Sequence, residues 1–167
     1  FFIWLQHLLT HKIEFLWRIH RVHHSDTEMD VSTAIRFHPI EIALSMALKI
    51  SLVYALGADP LSVLIFEILL NGSSIFNHAN INIPNRIDKI VRFLIVTPDM
   101  HRIHHSSDRI EYDTNFGFAL SIWDHIYQTY KSRPERDHRE MEIGLNLQDE
   151  KPQELGWSLG FPFKKNG

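Results

Sequence analysis

Residues 101–106 read His-Arg-Ile-His-His-Ser, and residues 20–25 read His-Arg-Val-His-His-Ser. Because each residue of an α-helix advances by about 100°, the three histidines of each hexapeptide fall within an arc of about 100° and can face one point. Six near-identical residues are too few for a structural repeat. The two hexapeptides therefore predict the same chemical arrangement of three histidines on two helical segments.

A third group of histidines precedes these hexapeptides: His7 and His11 are spaced i, i+4, which places them on one helix face. A solvated face or a pH-sensitive patch explains any one group, but the three groups together favour a metal centre. One four-coordinate zinc needs only three or four donors, whereas two metal ions need about as many as are present here. The candidate donors are His7, His11, His20, His23, His24, His101, His104 and His105.

The composition of the chain limits the chemistry of such a site. The 167 residues, enough for one domain, include 12 histidines and no cysteine. Thiolate metal sites, iron–sulfur ligation, cysteine nucleophiles and disulfides are thereby excluded, and an imidazole-based site suits iron, zinc, copper or nickel. The net charge of −3 offers no basic excess for binding nucleic acid.

Two apolar stretches, residues 40–56 and 61–76, are separated by the turn sequence Gly-Ala-Asp-Pro and predict a helical hairpin. Each arm is shorter than the roughly 20 residues of a typical membrane span, so a buried hairpin in a soluble protein is the alternative. Basic residues flank the apolar segments, which places the polar part on the cytoplasmic side. The predicted fold class is all-α: a membrane-associated helical bundle with a helical hairpin and a histidine-rich cytoplasmic cap.

The remaining segments give weaker signals. Residues 1–17 predict one helix, which starts within an apolar run without an initiator methionine, and we interpret the chain as N-terminally truncated. Thr97 and Pro98 predict a helix start. We divide the chain into a catalytic domain, residues 1–130, and a polar C-terminal tail, residues 131–167.

The histidine groups resemble the three histidine boxes of the fatty acid hydroxylase superfamily, which includes sterol desaturase-like proteins. The segments 33–41, 77–81 and 97–100, together with Trp123-Asp124 and Thr129-Tyr130, also fit that pattern. The resemblance covers about residues 4–130, and it rests on the combination, because any single box is a weak signal.

The resemblance implies a non-haem di-iron centre, with the eight box histidines as ligands and His78 as a ninth. Some members carry a further histidine where this chain has Asn82, so Asn82 is a possible substitute ligand. His38 is a candidate ligand or outer residue, whereas His125 and His138 are not expected to bind metal. Carboxylates near the boxes are candidates for orienting the imidazoles: Glu14, Asp26, Asp99, Asp108 and Asp113.

The implied activity is O2-dependent hydroxylation or desaturation of a lipid C–H bond, with two iron ions as cofactor, O2 as co-substrate and a separate electron-donor protein. The implied location is an integral membrane one. Two alternatives remain open: a zinc-dependent hydrolase, which the absence of a His-Glu-x-x-His motif disfavours, and a histidine-rich metal-binding or transport membrane protein.

Overall fold

The computed structural model describes residues 1–146 and 151–164. Within these ranges the regular structure is helical, with two isolated β-bridges, so the all-α prediction is confirmed. The α-helices are α1 (Phe2–Lys12), α2 (Glu14–His24), α3 (Pro39–Leu56), α4 (Pro60–His78), α5 (Asn85–Val91), α6 (Pro98–His104), α7 (Arg109–Tyr112), α8 (Ile122–Ile126) and α9 (Leu155–Gly160), and short 3₁₀ turns cover Thr33–Ile35 and Phe161–Phe163.

The first apolar segment forms two helices, and the prediction of a single helix over residues 1–17 was wrong. Ile13 adopts an extended conformation (φ −101°, ψ 114°) between α1 and α2. The break lets α2 turn and pack against α1. Because α2 continues to His24, the hexapeptide of residues 20–25 is helical over all three of its histidines.

The predicted hairpin is confirmed, and its turn follows the chemistry of its residues. Gly57 ends α3 in the left-handed region (φ 63°), where glycine carries no steric penalty. The Asp59 side chain then accepts hydrogen bonds from the backbone N–H groups of Leu61 and Ser62 at 3.0 and 3.1 Å, and Pro60 occupies the first helical position.

The hairpin helices expose their apolar side chains. Both are long and apolar enough to cross a membrane, and only 6% and 11% of their apolar windows are buried. A core helix of a soluble protein would bury such residues, and an exposed apolar surface of this size is typical of a membrane or binding surface. The exposed side chains include Ile42, Leu44, Met46, Ile50, Leu64, Ile65, Ile68 and Leu69.

A polar cap lies at the end of the hairpin where α3 begins and α4 ends. The predicted start of α6 is confirmed, because the Thr97 side chain accepts from the backbone N–H of Met100 and Pro98 follows it. Behind α6, the apolar side chains of Val96, Met100, Ile103 and Phe116 are fully or almost fully buried.

The segment after α8, predicted as a polar tail, returns to pack on α2. The guanidinium of Arg21 donates to the carbonyl of Phe161 at 2.8 Å and lies 4.1 Å from the centre of the Phe161 ring. This part of the tail therefore covers the outer side of α2. Residues 147–150 and 165–167 of the predicted tail lie outside the described residues.

Candidate metal centre

The nine histidines predicted as ligands gather in the cap as two clusters. The first cluster contains five, and the second contains four; within each, one ligand atom per residue lies within 4.8 Å of all the others. The members of the first cluster are His7, His11, His20, His24 and His104, and those of the second cluster are His23, His78, His101 and His105.

Each hexapeptide divides its histidines between the two clusters. On α2, His20 and His24 are four residues apart and face the first cluster, while His23 turns toward the second. The α6 hexapeptide makes the opposite division, with His104 in the first cluster and both His101 and His105 in the second. The side-by-side clusters thus require both hexapeptides together.

Backbone carbonyls determine which nitrogen carries the proton in two histidines of the first cluster. His7 Nδ1 donates to the carbonyl of Phe116 at 2.8 Å, and His104 Nδ1 donates to the carbonyl of Thr114 at 2.7 Å. A neutral imidazole with a protonated Nδ1 has a lone pair on Nε2. The two Nε2 atoms face each other at 3.0 Å, an arrangement that a cation shared by both lone pairs would stabilise.

The second cluster shows the same pattern. His78 Nδ1 donates to the carbonyl of Ser74 at 2.7 Å, and His23 Nδ1 lies 3.3 Å from the carbonyl of Arg36. The Nε2 of His78 then lies 3.1 Å from the Nε2 atoms of both His23 and His101. Three ring nitrogens therefore converge on one point without enough protons to pair them.

Other ring nitrogens of the clusters are buried and have no hydrogen-bond partner within the described part of the chain. Native proteins seldom leave such groups unpaired, because an unpaired buried polar atom is costly. A metal ion in each cluster would take up these lone pairs, so the donor set fits two metal ions. The unpaired atoms include His20 Nε2 and both ring nitrogens of His11, His24 and His105.

Burial favours the neutral form of the imidazoles of His24, His104 and His105. Desolvation, followed by repulsion from neighbouring imidazoles, lowers the pKa of His24 and His105 well below its ordinary value. Desolvation is also the largest cause that lowers the pKa of His104, to about 3. Metal binding requires the neutral form of histidine, so these side chains are in the ligand-competent state near neutral pH.

Glu41 is a site residue that sequence reasoning missed. It lies in the first turn of α3, where its Oε1 accepts from His20 Nδ1 at 2.6 Å, and the residue is buried. A carboxylate that accepts a hydrogen bond from one histidine nitrogen fixes the tautomer. It also makes the other ring nitrogen a stronger metal ligand. The sequence feature that could have identified Glu41 is a lone carboxylate at the start of an apolar helix.

Asp124 organises the segment that holds His7. Its carboxylate, which is fully buried, accepts from the backbone N–H groups of Phe116 and Gly117 at 2.9 and 2.7 Å and from Trp4 Nε1 at 3.0 Å. A Cβ added at Gly117 would lie 2.7 Å from Asp124 Oδ2, so only glycine allows this approach. Asp124 therefore links α1 to the carbonyl that orients His7.

The carboxylates nominated from the sequence as orienting groups make their contacts elsewhere, and that prediction was wrong. They were chosen for proximity in sequence, whereas Glu41 reaches the site through the tertiary fold. Glu14 is exposed, Asp26 accepts from Thr33 Oγ1, Asp99 pairs with Arg102, Asp108 caps α7 and Asp113 pairs with Lys12.

The two weaker site candidates lie outside both clusters. His38 is buried at the start of α3, where its Nδ1 accepts from the backbone N–H of Ile40 at 3.2 Å and its Nε2 lies 3.3 Å from the carbonyl of Leu159. Asn82 is exposed in the segment between α4 and α5. His125 contacts Tyr130 (ring centroids 4.1 Å apart, planes tilted by 38°), and neither it nor His138 belongs to a cluster.

A cavity of about 260 Å³ opens beside both clusters, between α1 and the hairpin. Histidines of the first cluster (His7, His20) and of the second (His23, His101) form part of its wall. Ile3, Ile42 and other apolar side chains form much of the rest. An apolar ligand in this cavity would lie next to ring nitrogens of both clusters.

Comparison with known proteins supports the resemblance found in the motifs. The family model for fatty acid hydroxylase matches residues 1–129. Ornithine lipid hydroxylase OlsE of Rhizobium tropici is 34% identical over 136 residues, which cover 80% of this chain and 40% of that protein. Human alkylglycerol monooxygenase is 27% identical over 135 residues, covering 78% of this chain and 28% of that protein.

Human cholesterol 25-hydroxylase is 29% identical over 138 residues, which cover 79% of this chain and 47% of that protein. The chain therefore spans less than half the length of each of these relatives. No solved structure matches the chain significantly.

Proposed function

The chain belongs to the fatty acid hydroxylase family, and we propose that it is the catalytic part of an O2-dependent di-iron enzyme that hydroxylates or desaturates a C–H bond of a lipid. The proposed iron ligands are the nine histidines of the two clusters. The relatives named as lipid hydroxylases and monooxygenases support this class of reaction.

The observation that carries the proposal is the pair of adjacent histidine clusters, with five donors in one and four in the other. A single zinc hydrolase site needs three protein ligands and an open position, which leaves most of these imidazoles unexplained. Imidazole ligands without thiolates are compatible with iron, and the family resemblance selects iron among the metals that such ligands suit. A transport path would distribute its ligands along the membrane helices, whereas these lie together in the cap.

The residues of the chain prepare the site for an oxidation that water would disturb. Two bound iron ions would supply the activation of dioxygen and the oxidation of the C–H bond. Phe116, Thr114, Ser74 and Glu41 hold the ligand tautomers, and the apolar wall of the cavity excludes water and accepts the hydrocarbon. Hydroxylation inserts one oxygen atom and reduces the other to water, which consumes two electrons and two protons.

The membrane and the electron donor are further parts of the proposal. The exposed apolar surfaces of α3 and α4 would lie in the bilayer, so that a lipid enters the cavity from the side. Arg86, Lys89 and Arg92 lie beside the cap and favour a cytoplasmic location for the histidine-rich face. A separate protein would deliver the electrons, as the resemblance to the family implies.

The proposal is tested by the metal content of detergent-purified protein expressed with ample iron. We expect about two irons per wild-type chain and loss of iron in a His104→Ala, His105→Ala double variant, which removes one donor from each cluster. A His125→Ala variant is the matched control, because His125 is outside both clusters, and it should retain its iron.

Activity completes this test. Reduced, iron-loaded wild-type protein should convert a lipid in the presence of O2 and fail to do so without O2. One zinc per chain, or iron content unchanged in the double variant, would overturn the di-iron proposal. Zinc together with ester or amide cleavage would favour the hydrolase, and metal flux without oxidation would favour the transporter.

A further inference from the structure

One ion pair lies within the apolar hairpin. Lys49 of α3 and Glu67 of α4 are joined at 2.7 Å, with side-chain exposures of 16% and 34%. Apart from Glu41, these are the charged Asp, Glu, Lys or Arg residues within the two helices. Ionisable residues in membrane helices are costly, and they commonly mark a functional site.

This pair lies at the boundary between two cavities. Lys49 lines both the metal-proximal cavity of about 260 Å³ and a second cavity of about 730 Å³, and Glu67 lines the second. The second cavity is otherwise mostly apolar, with Phe2, Val53, Phe66 and similar side chains in its wall. A long apolar molecule lying through both cavities would therefore pass the ion pair.

Further polar groups line the metal-proximal cavity near Lys49. Ser45 Oγ lies 3.5 Å from Gln6 Oε1, which is the long limit of a hydrogen bond. Asn71 donates to the carbonyl of Glu67 at 2.7 Å and to its Oε2 at 3.3 Å. These polar groups therefore line the same cavity as the clustered histidines and the apolar side chains of Ile3 and Ile42.

We propose that Lys49 and Glu67, together with Gln6 and Ser45, bind a neutral oxygen function of the substrate, such as a hydroxyl, ether, ester or amide oxygen. Because Glu67 neutralises Lys49, the site does not compensate an anionic head group, and the nearby carboxylate repels one. The substrate class is therefore an uncharged amphiphile. This inference rests on the proposed lipid-oxidising function and names its substrate.

The position of the ion pair also sets which carbon is oxidised. Lys49 follows Glu41 by eight residues, which corresponds to roughly 12 Å along α3 at about 1.5 Å per residue, and Glu41 contacts the ligand His20. The oxygen function would therefore be held at a fixed distance from the histidine clusters. The oxidised C–H bond should accordingly be counted from the oxygen function and not from the methyl end.

Binding to the full chain in nanodiscs tests the recognition step independently of oxidation. A long-chain primary alcohol, the alkane and the ionised carboxylic acid of equal length would compete against a tritium-labelled alcohol. We expect the alcohol to bind about fivefold more tightly than the alkane, the effect of one hydrogen bond, and the acid to bind more weakly than the alcohol. Tightest binding of the acid would overturn the proposal.

A Lys49→Met, Glu67→Leu double variant removes both charges and leaves neither one unpaired. It should bind alcohol and alkane equally, whereas Ser51→Ala, an exposed position on the same helix outside both cavities, should keep the preference. If the double variant does not fold, a Gln6→Leu, Ser45→Ala variant tests the same loss. A preference that survives in the folded variants would make the pair purely structural and overturn the proposal.

Product analysis separates this inference from the proposed function. When the alcohol chain is lengthened, the oxidised carbon should stay at a constant position counted from the oxygen; a constant position from the methyl end would contradict the inference. Oxidation without the alcohol preference would overturn the binding site alone. If the protein prefers the alcohol to the alkane but binds no iron and oxidises no lipid, the proposed function would be overturned and the proposed binding site would be retained.

Discussion

The two clusters use the same kind of donor, but different parts of the fold hold them. In the first cluster, His7 and His104 are oriented by carbonyls of the segment 114–116, and His20 is oriented by Glu41. The second cluster is oriented by the carbonyls of Ser74 and Arg36, and His78 belongs to the hairpin itself. The first cluster therefore depends on the segment 114–116 and on the first turn of α3, and the second depends on the last turns of α4 and on the segment that precedes α3.

The two clusters are therefore adjacent, but different residues orient their histidines. Because α2 and α6 each contribute to both, displacing either helix affects both clusters, whereas replacing a single histidine, Glu41 or Asp124 acts first on one of them.

The largest expected effect follows from removing one ligand of each cluster separately. His104→Ala and His105→Ala should each lose about one of two irons and lower activity by more than about 100-fold, beyond the 10–100-fold typical of residues that only orient ligands. Iron per chain, measured by mass spectrometry, and product formation check this. Two irons retained in either variant would remove that histidine from the ligand set.

A smaller effect is expected for Glu41→Gln, which keeps the side-chain shape but removes the charge behind His20. Iron affinity or activity should fall by about 10–100-fold, through the first cluster. Glu14→Gln is the matched control, since Glu14 is exposed, and it should behave as wild type. Equal effects of the two variants would show that Glu41 does not orient the site. Competition with a graded series of iron chelators measures the affinity.

Asp124→Asn should mainly lower stability. The substitution weakens the acceptor of two backbone N–H groups and of Trp4, at a cost of about 1–3 kcal/mol, and iron should be lost first from the first cluster. Asp113→Asn breaks an exposed pair with Lys12 and should change stability by less than about 1 kcal/mol. Thermal unfolding in detergent compares the two, and iron lost equally from both clusters would contradict the separate support of the first.

The smallest effects are expected outside the clusters. His38→Ala removes a side-chain cap of α3, at a cost of about 1 kcal/mol, and Asn82→Ala, at an exposed position, should stay within about 0.5 kcal/mol of wild type. Both should retain their iron. Iron loss in either variant would extend the ligand set beyond the nine histidines.

Helix periodicity and turn residues were enough to predict the hairpin, its Gly57 turn and the start of α6 at Thr97. The helix break at Ile13 was missed, because no proline or glycine marks it and the apolar run continues through it. The break reflects the packing of α2 against α1, which is a tertiary interaction that local propensity does not encode.

By itself, the sequence predicted the helical class and the eight histidines of the three groups, because ligand type and helical spacing are local properties, and the resemblance to the family added His78. The division of each hexapeptide between two clusters was decided only by the tertiary structure, since it depends on how α1, α2, α4 and α6 approach one another. The same holds for Glu41 and Asp124. Their roles arise from contacts between residues 21 positions apart and up to 120 positions apart, and such contacts exist only once the chain has folded.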